Sequence, residues 1–198
     1  LKAARAHGVL GVAAPSANRF GRISPTSAAH VAEEFADLGG DQLLILDGGA
    51  CPVGIESTIV DCSRGVPVLL RPGMLTPAQI EAACGQPLRE RDATAPRASG
   101  TLESHYAPRA KVRLMEAKAL QTALDVLGPD AKHIAVYARA TLRAARGVVL
   151  RRMPADAARC AQELFAVLRD LDGTGVKLIW VETPPAVAEW DGVRDRLQ

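Results

Sequence analysis

KVRLMEAKALQTALDVLGPDAKHIAVY, residues 111–137, is the stretch on which the fold turns. Lys111–Met115 reads as a strand, Ala117–Leu127 as a helix and Ile134–Tyr137 as a second strand. A helix between two short apolar strands is a βαβ unit, and such units build parallel sheets. The alternation continues downstream. Val148–Arg152 and Val176–Val181 read as strands, Asp156–Leu171 as a strongly amphipathic helix and Glu189–Leu197 as a final helix. This half contains neither a Gly-rich dinucleotide fingerprint nor a phosphate loop. A Rossmann-like shape is therefore expected here as architecture alone.

Upstream, the elements are shorter and the loops richer in polar residues. Leu1–His7 carries a helical pattern that stops at Gly8, and Val9–Ala14 reads as a short buried strand before the polar loop Pro15–Thr26. Ser27–Leu38 is expected to be a helix, with Thr26 or Ser27 as cap and Gly39-Gly40 at its end. Leu43–Leu46 reads as a strand stopped by Asp47-Gly48-Gly49. Ser57–Cys62 and Pro67–Arg71 suit a hairpin around Ser63-Arg64-Gly65. Thr76–Cys84 suits a short helix with Pro77 in its first turn. Arg89–Arg109 has no periodicity and reads as a linker.

Composition sets the class. With 48% hydrophobic and 23% charged residues in 198, the chain is globular, and 4% aromatics leave the core to Ala, Val, Leu and Ile. A net charge of +2 excludes a protein that coats nucleic acid through bulk charge. Residues 1–110 carry 10 basic and 11 acidic groups, whereas residues 111–198 carry 14 and 11. Lys132, Arg139, Arg143, Arg146, Arg151 and Arg152 follow one another with no acid between them. That run is either a solvated face or a contact surface for a phosphate backbone. Cys51, Cys62, Cys84 and Cys160 match no zinc spacing, which suits a reduced, cytoplasmic protein. No apolar run approaches the roughly 18 residues of a membrane helix. The chain opens at Leu1 within a helical pattern, so a preceding N-terminal portion is expected.

The residues suited to chemistry lie in the loops of the first half. Ala14-Pro15-Ser16-Ala17-Asn18 leaves a strand and presents a hydroxyl and an amide on one side. Such a pair either binds phosphate or ribose oxygens or caps the next turn. Gly54-Ile55-Glu56-Ser57-Thr58 puts two hydroxyls at a strand start, where only one can face a pocket. Arg71 ends an apolar strand, the place from which α/β proteins reach ligands, and its planar fork suits phosphate. Ser104-His105-Tyr106 sets an aromatic pair in a polar linker, to dock on a nucleotide base or on the protein itself. No Ser-His-Asp set, metal cluster or close carboxylate pair emerges, which argues against a hydrolase. Ser, Asn, Arg and Tyr suit the positioning of phosphates, the main task in nucleotidyl transfer.

PSANRFGRISPT, DGGACPVGIESTIVD, LLRPGML and ASGTLESHYAP, in this order, closely resemble the long YrdC-type threonylcarbamoyl-AMP synthases, as does the later IWVETPP and EWDGVRDRLQ. The resemblance implies a twisted YrdC-like open-sheet domain, of which residues 1–94 are the C-terminal portion. Residues 95–110 would be a linker and lid, and residues 111–198 a small Rossmann-like three-layer α/β domain. It implies formation of L-threonylcarbamoyl-adenylate and pyrophosphate from L-threonine, bicarbonate and ATP with Mg2+. The product would feed the tRNA threonylcarbamoyl transfer machinery, which modifies the adenosine next to the anticodon.

By motif matching, Ala14 and Ser57 would contact threonine. Ser16, Asn18, Ser24, Arg71 and Tyr106 would contact ATP, with Tyr106 folding back over the nucleotide. The family's Lys-x-Arg element falls before position 1, so no catalytic residue is assigned and this chain alone is expected to be weak or inactive. Ala98-Ser99-Gly100-Thr101 stands where some relatives have Pro-Gly-Met, which implies a lid of different stiffness. The alternative is a nucleotide- or double-stranded-RNA-binding module without adenylating activity, with tRNA as a further partner.

Overall fold

The computed structural model describes residues 2–96, 98 and 107–198. Its largest element is a four-stranded, wholly parallel sheet. The strands are β3 (Lys111–Met115), β4 (Ile134–Ala138), β5 (Val149–Arg152) and β6 (Leu178–Glu182), in spatial order β3-β6-β4-β5. β4 is buried along its whole length, as a central strand covered on both faces must be. Its alternate side chains serve two cores. Ala135 and Tyr137 join Ile179 and Val181 against α5 (Ala157–Gly173) and α6 (Asp191–Leu197). Val136 and Ala138 join Trp180 on the opposite face against Leu120 and Leu124 of α4 (Ala117–Leu127).

α5 forms where it does because Asp156 caps it, accepting from the Arg159 N–H at 2.8 Å. Its buried residues Cys160, Ala161, Leu164, Phe165, Leu168 and Leu171 recur at helical spacing and face the sheet. Burial pushes the Cys160 thiol up to about 11, so it behaves as a small core hydrophobe. At the end of α5, Asp172 reaches back to the entry of β3, accepting from the Ala110 N–H at 2.8 Å and from Arg109 Nε at 3.2 Å.

Burial alone would raise the Asp172 carboxyl, but the backbone N–H groups of Ala110 and Arg109 and the Arg109 guanidinium outweigh it and hold it low. A depressed folded-state pKa stabilises above the unfolded value of about 3.9 and loses that contribution as pH falls through the folded value. Asp172→Asn is expected to cost about 1–3 kcal/mol near neutrality. Its urea midpoint should converge with that of the parent chain in acid below pH ~4. A gap that persists undiminished in acid would contradict this electrostatic origin.

The first half is built from short pieces around a hairpin. β1 (Ile59–Asp61) pairs antiparallel with β2 (Val68–Arg71), and the turn between them carries Gly65 at φ +82°. Arg89 adds a parallel bridge beside Val68, so the expected linker begins as part of this unit. α3 (Pro77–Cys84) has the full capping box, Thr76 with Gln79, and ends on a left-handed Gly85. α1 spans Lys2–Ala6. α2 (Ala28–Glu34) starts on Ser27 as expected but gives way to turns before Leu38.

Two expected strands are absent. Residues 9–14 and 43–46 lack strand structure, and the hairpin is the extent of regular strand pairing among the described residues before 111. The open sheet expected of the first half is therefore not formed there. An extended segment becomes a strand only when its N–H and C=O groups meet a ladder, and neither segment has one. Their apolar side chains stay outside, with Leu10 99% and Leu46 83% exposed.

Candidate functional site

The loop that leaves residues 9–14 is organised by its own side chains. Ser16 Oγ donates to Asn18 Oδ1 at 2.5 Å, and Asn18 Nδ2 donates to the carbonyls of Arg22 at 2.8 Å and Arg19 at 3.1 Å. Ala17, between them, is held in the left-handed region at φ +54°, which costs a residue with a Cβ about 1–2 kcal/mol. Strain of this kind persists only where the surroundings impose it, and it gathers at binding loops. Ser16 and Ala14 are exposed.

The second cluster is deeper and joins both halves of the chain. Ser24 is buried, and its Oγ donates to Glu56 Oε1 at 2.5 Å. The other Glu56 oxygen accepts from Arg196 Nε at 2.7 Å. The same guanidinium donates to the carbonyls of Glu56 and Pro72, each at 3.1 Å. One residue along, Arg71 donates to the Ser57 carbonyl from Nε at 3.2 Å and Nη2 at 2.9 Å. Two arginines thus hold consecutive peptide units and leave the Ser57 side chain facing outward. Thr58 turns the other way, with its hydroxyl accepting from the Leu75 N–H at 3.3 Å. Asp195 lies beside this network; burial raises its carboxyl, against the pull of Arg196 and Arg71.

Close backbone approaches lock the cluster onto the helices. A Cβ on Gly54 would stand 2.1 Å from the Gln162 carbonyl oxygen of α5, and one on Gly192 of α6 would stand 2.5 Å from the Gly73 carbonyl oxygen. Arg169 of α5 pairs with Glu34 at 3.0 Å and also donates to the Ile23 carbonyl, next to Ser24.

The structure therefore brings Ser24, Ser57 and Arg71 together through Glu56 and Arg196. Ser16 and Asn18 form a neighbouring pair joined to them through residues 18–24. Arg71 is 5% exposed, so its fork lies along the Ser57 backbone rather than open in a crevice. Tyr106 and His105 lie outside the described residues, as does most of the Ala98–Thr101 segment. Ala107, next in sequence to Tyr106, bridges to Arg22, and its N–H meets the Gly21 carbonyl at 3.3 Å.

Sequence reasoning does not single out Glu56 or Arg196 as site residues. Glu56 carries only the signal of standing inside the GIEST motif, one residue before Ser57. Arg196 is 140 positions away from it, and nothing local signals the pairing.

Within the cationic run, Lys132, Arg143, Arg146, Arg151 and Arg152 are exposed and Arg139 is half-buried. Arg139 turns inward to Glu182 at 2.6 Å and lies over the Trp190 ring at 5.6 Å, while Arg151 meets Asp170 at 3.3 Å. A cavity of about 370 Å³ beside Arg151 and Arg152 is lined by Val136, Ala138, Leu142 and Leu150, away from the motif residues. Among the described residues no three His, Cys, Asp or Glu side chains gather as metal ligands, and no helix is long and apolar enough to cross a membrane.

Comparison with known proteins bears on both halves. A family model described as threonylcarbamoyl-AMP synthase, C-terminal domain, matches residues 75–198, and one described as telomere recombination matches residues 2–73. The threonylcarbamoyl-AMP synthase of Pyrococcus abyssi is 35% identical over 182 residues, 86% of this chain and 52% of the relative. That of Schizosaccharomyces pombe is 34% identical, over 94% of this chain and 51% of the relative. That of Bacillus subtilis is 44% identical over 112 residues, 54% of this chain and 31% of the relative. The crystal structure of P. abyssi Sua5 complexed with L-threonine superposes with a TM-score of 0.76 at 32% identity, over 92% of this chain and 55% of that one. The chain thus spans about half the length of the first two curated relatives.

Proposed function

Because the chain belongs to the threonylcarbamoyl-AMP synthase family, we propose that it carries threonine- and nucleotide-facing loops of an L-threonylcarbamoyladenylate synthase. The observation that carries this reading is the pair of arginine-held peptide units at Glu56 and Ser57. They fix an exposed hydroxyl beside a buried guanidinium, which suits a small polar amino acid next to a polyphosphate. A structural neighbour with L-threonine bound supports the choice of amino acid.

In this reading the substrates are L-threonine, bicarbonate and ATP. The carbamate oxygen of N-carboxylated threonine bonds to the α-phosphorus, and the bond to the β-phosphate oxygen breaks to release pyrophosphate. Ser57 and the Ala14 backbone hold threonine, and Ser16 and Asn18 hold the nucleotide. The Ser24 proton is committed to Glu56, so this hydroxyl can accept only from donors of ATP, its ribose hydroxyls or its adenine amino group. Arg71 supplies positive charge to the phosphates. Mg2+ enters with ATP and would neutralise phosphate charge. The nearby Glu56 carboxylate is already engaged by Ser24 and Arg196, which suits an ion held by phosphates and water.

We read residues 1–94 as catalytic-domain sequence, 95–110 as a lid carrying Tyr106, and 111–198 as a Rossmann-like unit. The bridge from Ala107 to Arg22 supports a lid that passes the nucleotide loop. The product would be handed to a cytoplasmic tRNA threonylcarbamoyl transfer system.

Mass spectrometry of a reaction with ATP, Mg2+, threonine and bicarbonate should detect at most a low yield of threonylcarbamoyl-AMP from residues 1–198 alone, and only when both threonine and bicarbonate are present. ATP binding without threonine binding would shift the reading to a nucleotide-binding module. Ser57→Ala is expected to weaken threonine binding about three- to tenfold, the scale of one lost hydrogen bond, with ATP affinity retained. Equal threonine affinity in calorimetric titration of parent and variant would remove Ser57 from the site.

A further inference from the structure

We propose that Arg196 is a positioning residue of the threonine-facing loop, so that α6 forms part of the framework of the site. The inference rests on the functional reading of Ser57 and Ser24 given above. Its own support is geometric. The Arg196 side chain is fully buried, and its Nε, Nη1 and Nη2 each reach a different acceptor on two loops of the first half. The Nη1 group also contacts the neighbouring Asp195.

Burying an ion pair costs desolvation that apolar packing would avoid, so such a pair is weak as a stabiliser. What a guanidinium supplies instead is direction. Its planar fork fixes the Glu56 carboxylate and the Glu56 carbonyl at once, and with them the peptide that leads into Ser57. The chain of contacts continues from Glu56 Oε1 to Ser24 and so links α6 to the residue assigned to the nucleotide. Through Pro72 it also touches the turn that follows Arg71. Gly192, one turn earlier on α6, lets the helix backbone lie against Gly73, close enough for the short reach of Arg196. Lysine keeps the charge but not the fork, and its single ammonium cannot hold side-chain and main-chain oxygens in one plane.

The test uses the whole chain with Arg196→Lys and Glu56→Gln, each confirmed as folded by circular dichroism and a cooperative melt. Hydrogen exchange should accelerate roughly tenfold or more in peptides covering residues 55–58 and 72–75, with β4 and β6 unchanged. Threonine affinity should fall roughly tenfold, the scale of a lost charge-assisted hydrogen bond, and the double variant should be no worse than either single one. A merely structural role predicts a lower melting temperature with unaltered exchange in those peptides and unaltered threonine affinity in the folded fraction. That result would overturn the proposal. Should the parent chain bind no threonine, the functional reading of Ser57 falls, and the exchange pattern still decides whether Arg196 positions the loop.

Discussion

Gly54→Ala is expected to destabilise the chain by at least about 3 kcal/mol, the sum of backbone strain and an unrelieved clash. Gly54 sits at φ +82°, where a residue with a Cβ pays about 1–2 kcal/mol. The added methyl would also stand 2.1 Å and 2.5 Å from the Gln162 carbonyl oxygen and carbon, and 2.6 Å from the Ala161 carbonyl oxygen. Those atoms belong to the backbone of α5 and cannot swing aside. The loop must lift, and Ile55 leaves the core with it. Gly65 provides the control. It has the same φ of +82°, but a methyl added there would meet nothing within 4 Å, so Gly65→Ala should cost only the strain. Urea denaturation of both variants separates the two contributions. Equal losses would mean that the contact between Gly54 and α5 carries no weight.

Arg71→Ala is expected to have the largest functional effect. The sequence alone suggests an arginine open in a ligand crevice, with no part in holding the fold. Its burial says otherwise, because the variant leaves the Ser57 carbonyl without the two donors it now has. Losing charge-assisted hydrogen bonds of this kind costs about 1.5–3 kcal/mol each, and stability should fall accordingly. Under the proposed phosphate role, ATP affinity of the folded fraction should fall roughly a hundredfold. Arg71→Lys should recover part of the ATP affinity through its charge while leaving Ser57 loosely held. Titration of ATP at a temperature where both variants remain folded would check this. Unchanged ATP affinity in Arg71→Ala would confine Arg71 to holding the loop.

Legibility in the sequence followed the range of the interactions. The parallel sheet was readable because each strand and helix announces itself locally, and βαβ connections leave little freedom in how they assemble. The short helix begun by Pro77 and the turn at Gly65 were readable for the same reason. Residues 9–14 and 43–46 carry equally good strand patterns, yet a pattern describes one chain segment while a strand needs two. Ser24, Ser57 and Arg71 were marked by the motifs that contain them. The partners that bind them together, Glu56 and Arg196, depend on a contact across 140 positions. Arg169 and Glu34 are a second such pair, 135 positions apart. No periodicity or propensity encodes a meeting at that separation.

That separation also bears on the time course of folding. The sheet pairs strands within residues 111–182, whereas Ser24, Glu56 and the 72–73 turn wait for helices whose residues come more than a hundred positions later. Contacts that close such long loops repay their entropy late. The site loops are therefore expected to be ordered after the rate-limiting barrier, on a scaffold already formed. Substitutions at Glu34, Glu56 or Arg196 should then hasten unfolding and barely slow folding, the signature of low φ-values in a chevron analysis. Competence for binding would lag behind compaction, and the protein would be recognisably folded for some interval before it could hold a ligand.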